Sequence, residues 1–300
     1  MKKILLGNKA LSGRTVVALG KFDGIHAGHA KLLEYVVDYA SKYNAQSVVY
    51  AMEPESSVRI TDFDERTEII RSFGIDVLCT EQLTEEFMNM SPEEFVSKIL
   101  QSGLDACHVV VGYNFRFGKN RSGDAKLLEV LCNQRGIGVT VADCVYISEK
   151  GDDVAVSSTL IRSLASEGRV DEIFPLLGRN YSISGVVQKG KQLGRTLDFP
   201  TANIYKIPED IILKSGVYLT KVSFDDKSCY AITNVGTNPT VENPNGILRI
   251  ESYLKNFVGN LYGKHITVEF VKFIRDEHKF SSATELRNQL VVDKKHLDNV

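Results

Sequence analysis

Near Gly178 the patterning of this chain changes, and that change constrains the fold more than any single motif. Before it, short apolar runs (16–20, 47–52, 77–79, 108–112 and 138–145) alternate with amphipathic stretches such as 29–43 and 124–135. Strands separated by helices pair in parallel, because a crossover of that length returns the chain to the same end of the sheet. A parallel sheet is then covered on both faces. Within this region Ser91-Pro92-Glu93-Glu94 reads as a capping box that starts a helix. After Gly178, runs at 181–188, 216–224, 229–235, 248–253 and 265–273 follow one another, many with period-two alternation. Turn residues separate them, such as Asp225-Asp226, Asn243-Pro244-Asn245-Gly246 and Gly259-Asn260. This pattern predicts an antiparallel sheet closed into a small barrel, or a sandwich. One helix near 283–297 follows, with Ser282 and Glu285 as a capping box. A chain of 300 residues has room for two such domains with separate cores.

Composition narrows the function. A formal net charge of −2 supplies no basic field for nucleic acid, although local Arg and Lys can still bind phosphorylated small molecules. The cysteines (Cys79, Cys107, Cys132, Cys144 and Cys229) are dispersed, odd in number and without a C-x-x-C pair, so neither a disulfide framework nor a zinc site is expected. The start, Met-Lys-Lys-Ile-Leu-Leu, is too brief for a secretory apolar region, and no stretch is long enough to span a membrane. The expectation is a cytoplasmic protein with no nucleic-acid, membrane or obligate protein partner.

Two stretches carry phosphate chemistry. The run Val16-Val17-Ala18-Leu19 leads into Gly20-Lys21-Phe22-Asp23-Gly24-Ile25-His26-Ala27-Gly28-His29. Strand, glycine-punctuated turn and helix start form a phosphate-binding geometry, since a helix N-terminus offers unpaired N–H groups and a positive dipole end. The glycine spacing is not G-x-G-x-x-G, and two histidines without a third ligand make a poor metal site. His26 and His29 are therefore candidate hydrogen-bond donors to phosphate, with Gly20 and Gly28 allowing close backbone approach. Downstream, Gly112-Tyr113-Asn114-Phe115-Arg116-Phe117-Gly118 follows a strand, which puts Asn114 at the carboxyl edge where open α/β sheets bind ligands. Ser158 or Thr159 caps a further helix carrying Arg162; taken alone this is an ordinary N-cap, or else a second anion clamp.

In the second half, a loop from Gly190 to Arg195 follows a strand and offers backbone N–H groups to a triphosphate. Thr201 and Asn203 in Phe199-Pro200-Thr201-Ala202-Asn203 present oxygens to Mg²⁺, a hard cation that favours oxygen and travels with nucleotide phosphates. Glu251 stands in Leu248-Arg249-Ile250-Glu251-Ser252-Tyr253. It is either a solvated strand residue or the carboxylate that orients and deprotonates an attacking hydroxyl.

Together these motifs, in this order, resemble the bacterial bifunctional riboflavin kinase/FMN adenylyltransferase (FAD synthetase) family. The resemblance runs from about Val16 to Asp293 and takes in Gly194-Arg195 through Asn203, Asn234 to Thr240, Leu261-Tyr262-Gly263 and Arg275-Asp276-Glu277-His278-Lys279-Phe280. It implies a Rossmann-like nucleotidyltransferase domain over 1–178 and a riboflavin kinase barrel with a C-terminal helix over 179–300. The barrel would phosphorylate riboflavin to FMN with Mg-ATP, releasing ADP. The first domain would transfer AMP from ATP to FMN, giving FAD and pyrophosphate. The resemblance implies ATP or phosphate contacts for Gly20, Phe22, Gly28, Asn114, Ser158, Thr159, Gly190 and Arg195, and catalytic roles at the ATP phosphates for His26, His29 and Arg162. It likewise implies a Mg²⁺ site at Thr201 and Asn203, a base at Glu251, and flavin contacts from Arg275 and Glu277. At Met52-Glu53-Pro54-Glu55-Ser56 the chain departs from the family's aromatic-x-Pro-His-Pro. Two rival readings follow: a riboflavin kinase whose first domain no longer turns over, or a non-enzymatic flavin or nucleotide sensor.

Overall fold

A computed structural model describes residues 1–5, 11–53, 59–149, 152–190, 199–207, 212–238, 246–298 and 300. These fall into two compact units, one from the described residues of Met1–Ser57 and Phe63–Ser157, the other from those of Val58–Asp62 and Ser158–Val300.

The first unit is built on six parallel strands: β1 (Lys2–Leu5), β2 (Thr15–Gly20), β3 (Gln46–Glu53), β4 (Val77–Gln82), β5 (Ala106–Gly112) and β8 (Gly138–Ala142). Two short strands, β6 (Arg116–Phe117) and β7 (Gly123–Asp124), pair beside them. The order is β1-β4-β3-β2-β5-β8. The chain winds outward from β2 through α1 (Ala27–Tyr43) to β3 and through α2 (Phe63–Ser72) to β4, then returns to the other side of β2 as β5. The direction of winding therefore reverses between β2 and β5, and such reversals open the crevice where doubly wound sheets take their ligands.

Alternation along the strands feeds two cores. Val17, Leu19, Tyr50 and Val109 face the helical stretch Phe95–Gly103 and the helix Ala125–Asn133. Val16, Ala18, Val49 and Val110 face Leu32, Leu33 and Val36 of α1 and Ile70 of α2. Expectation and structure differ in places. Residues 2–5, too short to read as an element, form an edge strand on β4. The run expected over 138–145 stops at Ala142, and a hairpin of β9 (Tyr146–Glu149) with β10 (Asp152–Ala155) follows. The Ser91 capping box is present, but the helix it opens passes after one turn into a π-helix, Phe95–Gly103.

The second unit is a six-stranded antiparallel sheet of β11 (Tyr181–Val186), β12 (Ala202–Lys206), β13 (Gly216–Phe224), β14 (Lys227–Asn238), β15 (Ile247–Leu254) and β16 (His265–Arg275), ordered β11-β16-β13-β14-β15-β12. A single antiparallel bridge from Gln188 to Asn203 joins the two edges, so the sheet closes as a barrel, not a sandwich. The interior is apolar apart from a chain of buried hydroxyls, Thr220–Thr233–Ser252, which satisfy one another at 2.6 and 2.8 Å. The C-terminal helix, Ala283–Lys294, lies outside the barrel, and Leu297 beyond it packs on Val217, Leu219 and Ile232. Its cap is half a capping box. Ser282 accepts from the Glu285 N–H, whereas the Glu285 carboxylate reaches Ser281. The helix Ser158–Glu167 belongs to this second unit, although the sequence reading set the domain boundary at 178.

Candidate active sites

In the first unit the glycine-punctuated loop runs from the end of β2 into the start of α1. Phe22 and Ile25 adopt left-handed backbone (φ 51° and 42°) and bury their side chains in the core. Left-handed backbone is costly for such residues, so the apolar anchors hold the loop in a shape it would not choose alone. His26 is the N-cap of α1: its Nδ1 accepts the backbone N–H of His29 at 3.3 Å. The two imidazoles stack with centroids 3.8 Å apart, and the Phe22 ring packs on His29 in a tilted arrangement at 5.1 Å. Phe22 is thus a fully buried support for His29. Gly28 gives the stack room, since a Cβ there would lie 3.1 Å from the His26 ring, a tight contact that the ring would have to relieve.

Burial pushes the His26 pKa down to about 4, and burial together with the neighbouring His26 holds His29 well below the usual imidazole range. Both rings are therefore neutral at pH 7. With Nδ1 of His26 occupied as an acceptor, the proton of its neutral ring sits on Nε2 and makes that atom a hydrogen-bond donor. Asn114 stands exposed in a tight turn after β5, closed by the Phe115 N–H on the Gly112 carbonyl. The histidine pair and Asn114 so follow the two strands between which the winding reverses. Behind the loop, buried Arg66 donates to the Lys21 carbonyl at 3.3 Å and forms an ion pair with Glu53. Sequence reading missed Arg66, because nothing local distinguishes it from the other charges of α2. Ser158, Thr159 and Arg162 stand in the first turns of the helix Ser158–Glu167, which starts at Ser158 and leaves Ser157 in the cap position. Glu55 and Arg195 lie outside the described residues.

In the second unit the expected residues converge. Asn203 on β12 pairs in register with Glu251 on β15, and Glu251 pairs with Asn234 on β14. Alternation puts all three on the outer face of the barrel, under the C-terminal helix. A cavity of about 310 Å³ lies there, within the size range of small-molecule sites. Phe199, Val217, Ile232 and Tyr253 supply apolar wall, Leu286 and Leu290 of the C-terminal helix line it too, and Thr201, Glu251, Arg249 and Glu277 bring polar groups. Asn203 donates its amide N–H to Thr201 Oγ1 at 3.2 Å, and its own Oδ1 is buried without a partner. Gly190 lies against that amide, 3.0 Å from Asn203 Cγ by the position a Cβ would take. Glu277 accepts from Asn234 at 3.2 Å and lies across Gly236.

Arg275 lines the cavity, but its guanidinium is engaged. Nε and Nη2 are bidentate on buried Asp293 at 3.0 and 2.7 Å, and Nη1 binds the Asp276 carbonyl. It ties the helix to the end of β16. Sequence reading missed Asp293 and Arg249. Asp293 has no local signal, since its partner is distant in the chain. Arg249 was legible, because alternation puts 249, 251 and 253 on one face.

A neutral donor pair at the switch point of a doubly wound sheet, and a separate pocket bearing a carboxylate beside oxygen donors, describe a nucleotide-dependent transferase with two sites. Similarity to known proteins agrees. The FAD synthetase family model matches residues 8–160 and the riboflavin kinase family model matches residues 177–300. The bifunctional riboflavin kinase/FMN adenylyltransferase of Buchnera aphidicola subsp. Acyrthosiphon pisum is 35% identical over 295 residues, covering 95% of this chain and 93% of that one. The protein of the same description from Escherichia coli K12 is 32% identical over 290 residues, covering 93% and 90%. A Streptococcus pneumoniae crystal structure described as a macrolide-efflux protein aligns over 100% of both chains with a TM-score of 0.87 and 28% identity. No helix among the described residues here is long and apolar enough to cross a membrane. This chain belongs to the bifunctional riboflavin kinase/FMN adenylyltransferase family. It phosphorylates riboflavin to FMN and adenylylates FMN to FAD, with ATP as co-substrate in both steps.

Proposed function

We propose that the two reactions are divided between the two halves of the chain, kinase over 179–300 and adenylyl transfer over 1–178, and that both take place in the cytoplasm. The observation that supports this division best is the in-register meeting of Asn203, Glu251 and Asn234 on three neighbouring strands, with Thr201, Asn234 and Glu251 lining one cavity. There Glu251 takes the proton of the ribityl 5′-hydroxyl as that oxygen attacks the γ-phosphorus of ATP. Phosphoryl transfer needs alignment and charge neutralisation more than covalent help, so one carboxylate in a shaped pocket suffices on the protein side.

Thr201 Oγ1 and the orphaned Asn203 Oδ1 fit a hard cation, because a buried acceptor without a partner is costly and Mg²⁺ takes oxygen ligands. These two residues would hold Mg²⁺ together with the ATP phosphates, and the ion supplies neutralisation of phosphate charge when bound. Glu277 faces the flavin from the rim. Arg275 acts by holding the C-terminal helix in place over the cavity, and Gly190 by its own close approach to the Asn203 amide.

In the α/β half, the Nε2–H of His26, His29 and the N-terminus of α1 receive ATP phosphates, and Asn114, after the neighbouring strand β5, contributes a further contact. Neutral donors suit this step, since charge builds up around the α-phosphorus as an FMN phosphate oxygen attacks and pyrophosphate leaves. The test is incubation with riboflavin, ATP and Mg²⁺ followed by chromatographic separation of the flavins. Wild type yields FMN and FAD, and Glu251→Ala supplied with FMN still yields FAD. Equal loss of both products in Glu251→Ala would sink the division.

A further inference from the structure

We infer that Arg249 is a phosphate-binding residue of the kinase pocket, partnering Glu251 before transfer and the new FMN phosphate after it. The inference rests on reading the barrel cavity as the kinase site. Arg249 and Glu251 stand two residues apart on the outer face of β15, and Nη2 of the arginine lies 3.1 Å from Oε2 of the glutamate. Both line the cavity and both are about three-quarters buried, with side-chain exposures of 23% and 25%. Of the two arginines among the described lining residues, Arg275 is committed to Asp293, whereas Arg249 is turned to the carboxylate that serves as base.

The reaction changes the charges around this guanidinium in a fixed order. The ribityl oxygen forms a bond to the γ-phosphorus. The bond from that phosphorus to the bridging oxygen breaks, and its electron pair leaves with ADP. The hydroxyl proton passes to Glu251. Glu251 loses its charge in the same step that places a phosphate dianion one hydrogen bond away from it. Arg249 therefore loses its first anionic partner as a second one forms within reach. A planar guanidinium binds phosphate through paired N–H groups, which a point charge does not reproduce. An ordinary half-exposed ion pair on a strand would show none of this coupling to product.

The test uses the full chain and initial rates of riboflavin consumption with ATP and Mg²⁺, with FMN added as product inhibitor. This reads FMN at the kinase pocket whatever it does elsewhere. In Arg249→Gln the inhibition constant of FMN, relative to the KM for riboflavin, is expected to rise about tenfold or more, with Arg249→Lys in between. An unchanged ratio overturns the inference. Should Arg249→Gln fail to take riboflavin, the ratio in Arg249→Lys decides alone. Glu251→Gln separates the underlying reading. Its turnover falls if Glu251 is the base, and retained turnover defeats the base assignment whatever the Arg249 ratio shows.

Discussion

At the scale of single residues, electrostatic environment decides what each side chain can do. His26 and His29 are stacked and kept uncharged by burial away from solvent, which suits the role of neutral hydrogen-bond donors to phosphate proposed for them. The same burial has a stability signature. An unfolded His26 takes its proton near its ordinary pKa of 6.5, whereas the folded ring resists protonation until about pH 4. Its contribution is full above pH 6.5 and is lost as pH falls from 6.5 to 4, amounting to roughly 3 kcal/mol for one such group. Urea midpoints of wild type are expected to drop across that window, and those of His26→Gln to drop less. Gly28→Ala pushes a methyl into the His26 ring and is expected to lower FAD formation from supplied FMN at unchanged FMN formation from riboflavin. For Glu251→Ala, a loss of about 10²-fold or more in riboflavin phosphorylation is expected, measured as initial FMN production.

At the scale of elements, two ion pairs fasten functional parts to the fold. Arg66 on α2 grips the Lys21 carbonyl from behind the loop between β2 and α1 while its charge is met by Glu53. Removing one partner of a buried pair leaves the other charge uncompensated, so Arg66→Ala is expected to cost about 3–5 kcal/mol in denaturant unfolding. Arg275 and Asp293 do the corresponding work for the C-terminal helix. Asp293→Ala is expected to raise the KM for riboflavin several-fold, since the helix bearing Leu286 and Leu290 is a wall of the cavity. Adenylylation of supplied FMN is the internal control, and a parallel loss there would contradict the assignment. The sequence signalled helices and strands where periodicity was long. It was silent on the edge strand Lys2–Leu5 and on the hairpin after β8, whose short segments carry little pattern of their own. It was also silent on the π-helical turn over Phe95–Gly103, because hydrophobic spacing does not separate one helical hydrogen-bond pattern from another.

At the scale of the whole molecule, the chain forms two compact units, and the proposed division of the two reactions between them makes the activities separable by mutation. A His26→Ala/His29→Ala chain should accumulate FMN from riboflavin, while Glu251→Ala should make FAD only when FMN is supplied. Mixing the two variants is expected to restore FAD production from riboflavin through FMN released into solution. Mixed samples that still stop at FMN would show that the intermediate is not exchanged between chains.

Local patterning alone determined the two fold classes and singled out the contiguous motifs expected to handle phosphate. These depend on the period of apolar residues and on motifs contiguous in the chain, as in Gly20 to His29 and Phe199 to Asn203. Tertiary structure decided everything that depends on neighbours distant in sequence. Barrel closure through Gln188 and Asn203 and the meeting of Asn203, Glu251 and Asn234 across three strands are set by register. The neutrality of the histidines is set by burial, and the commitment of Arg275 to Asp293 and of Arg249 to Glu251 by proximity in space. Register, desolvation and charge pairing act through space, and no local window of sequence contains them.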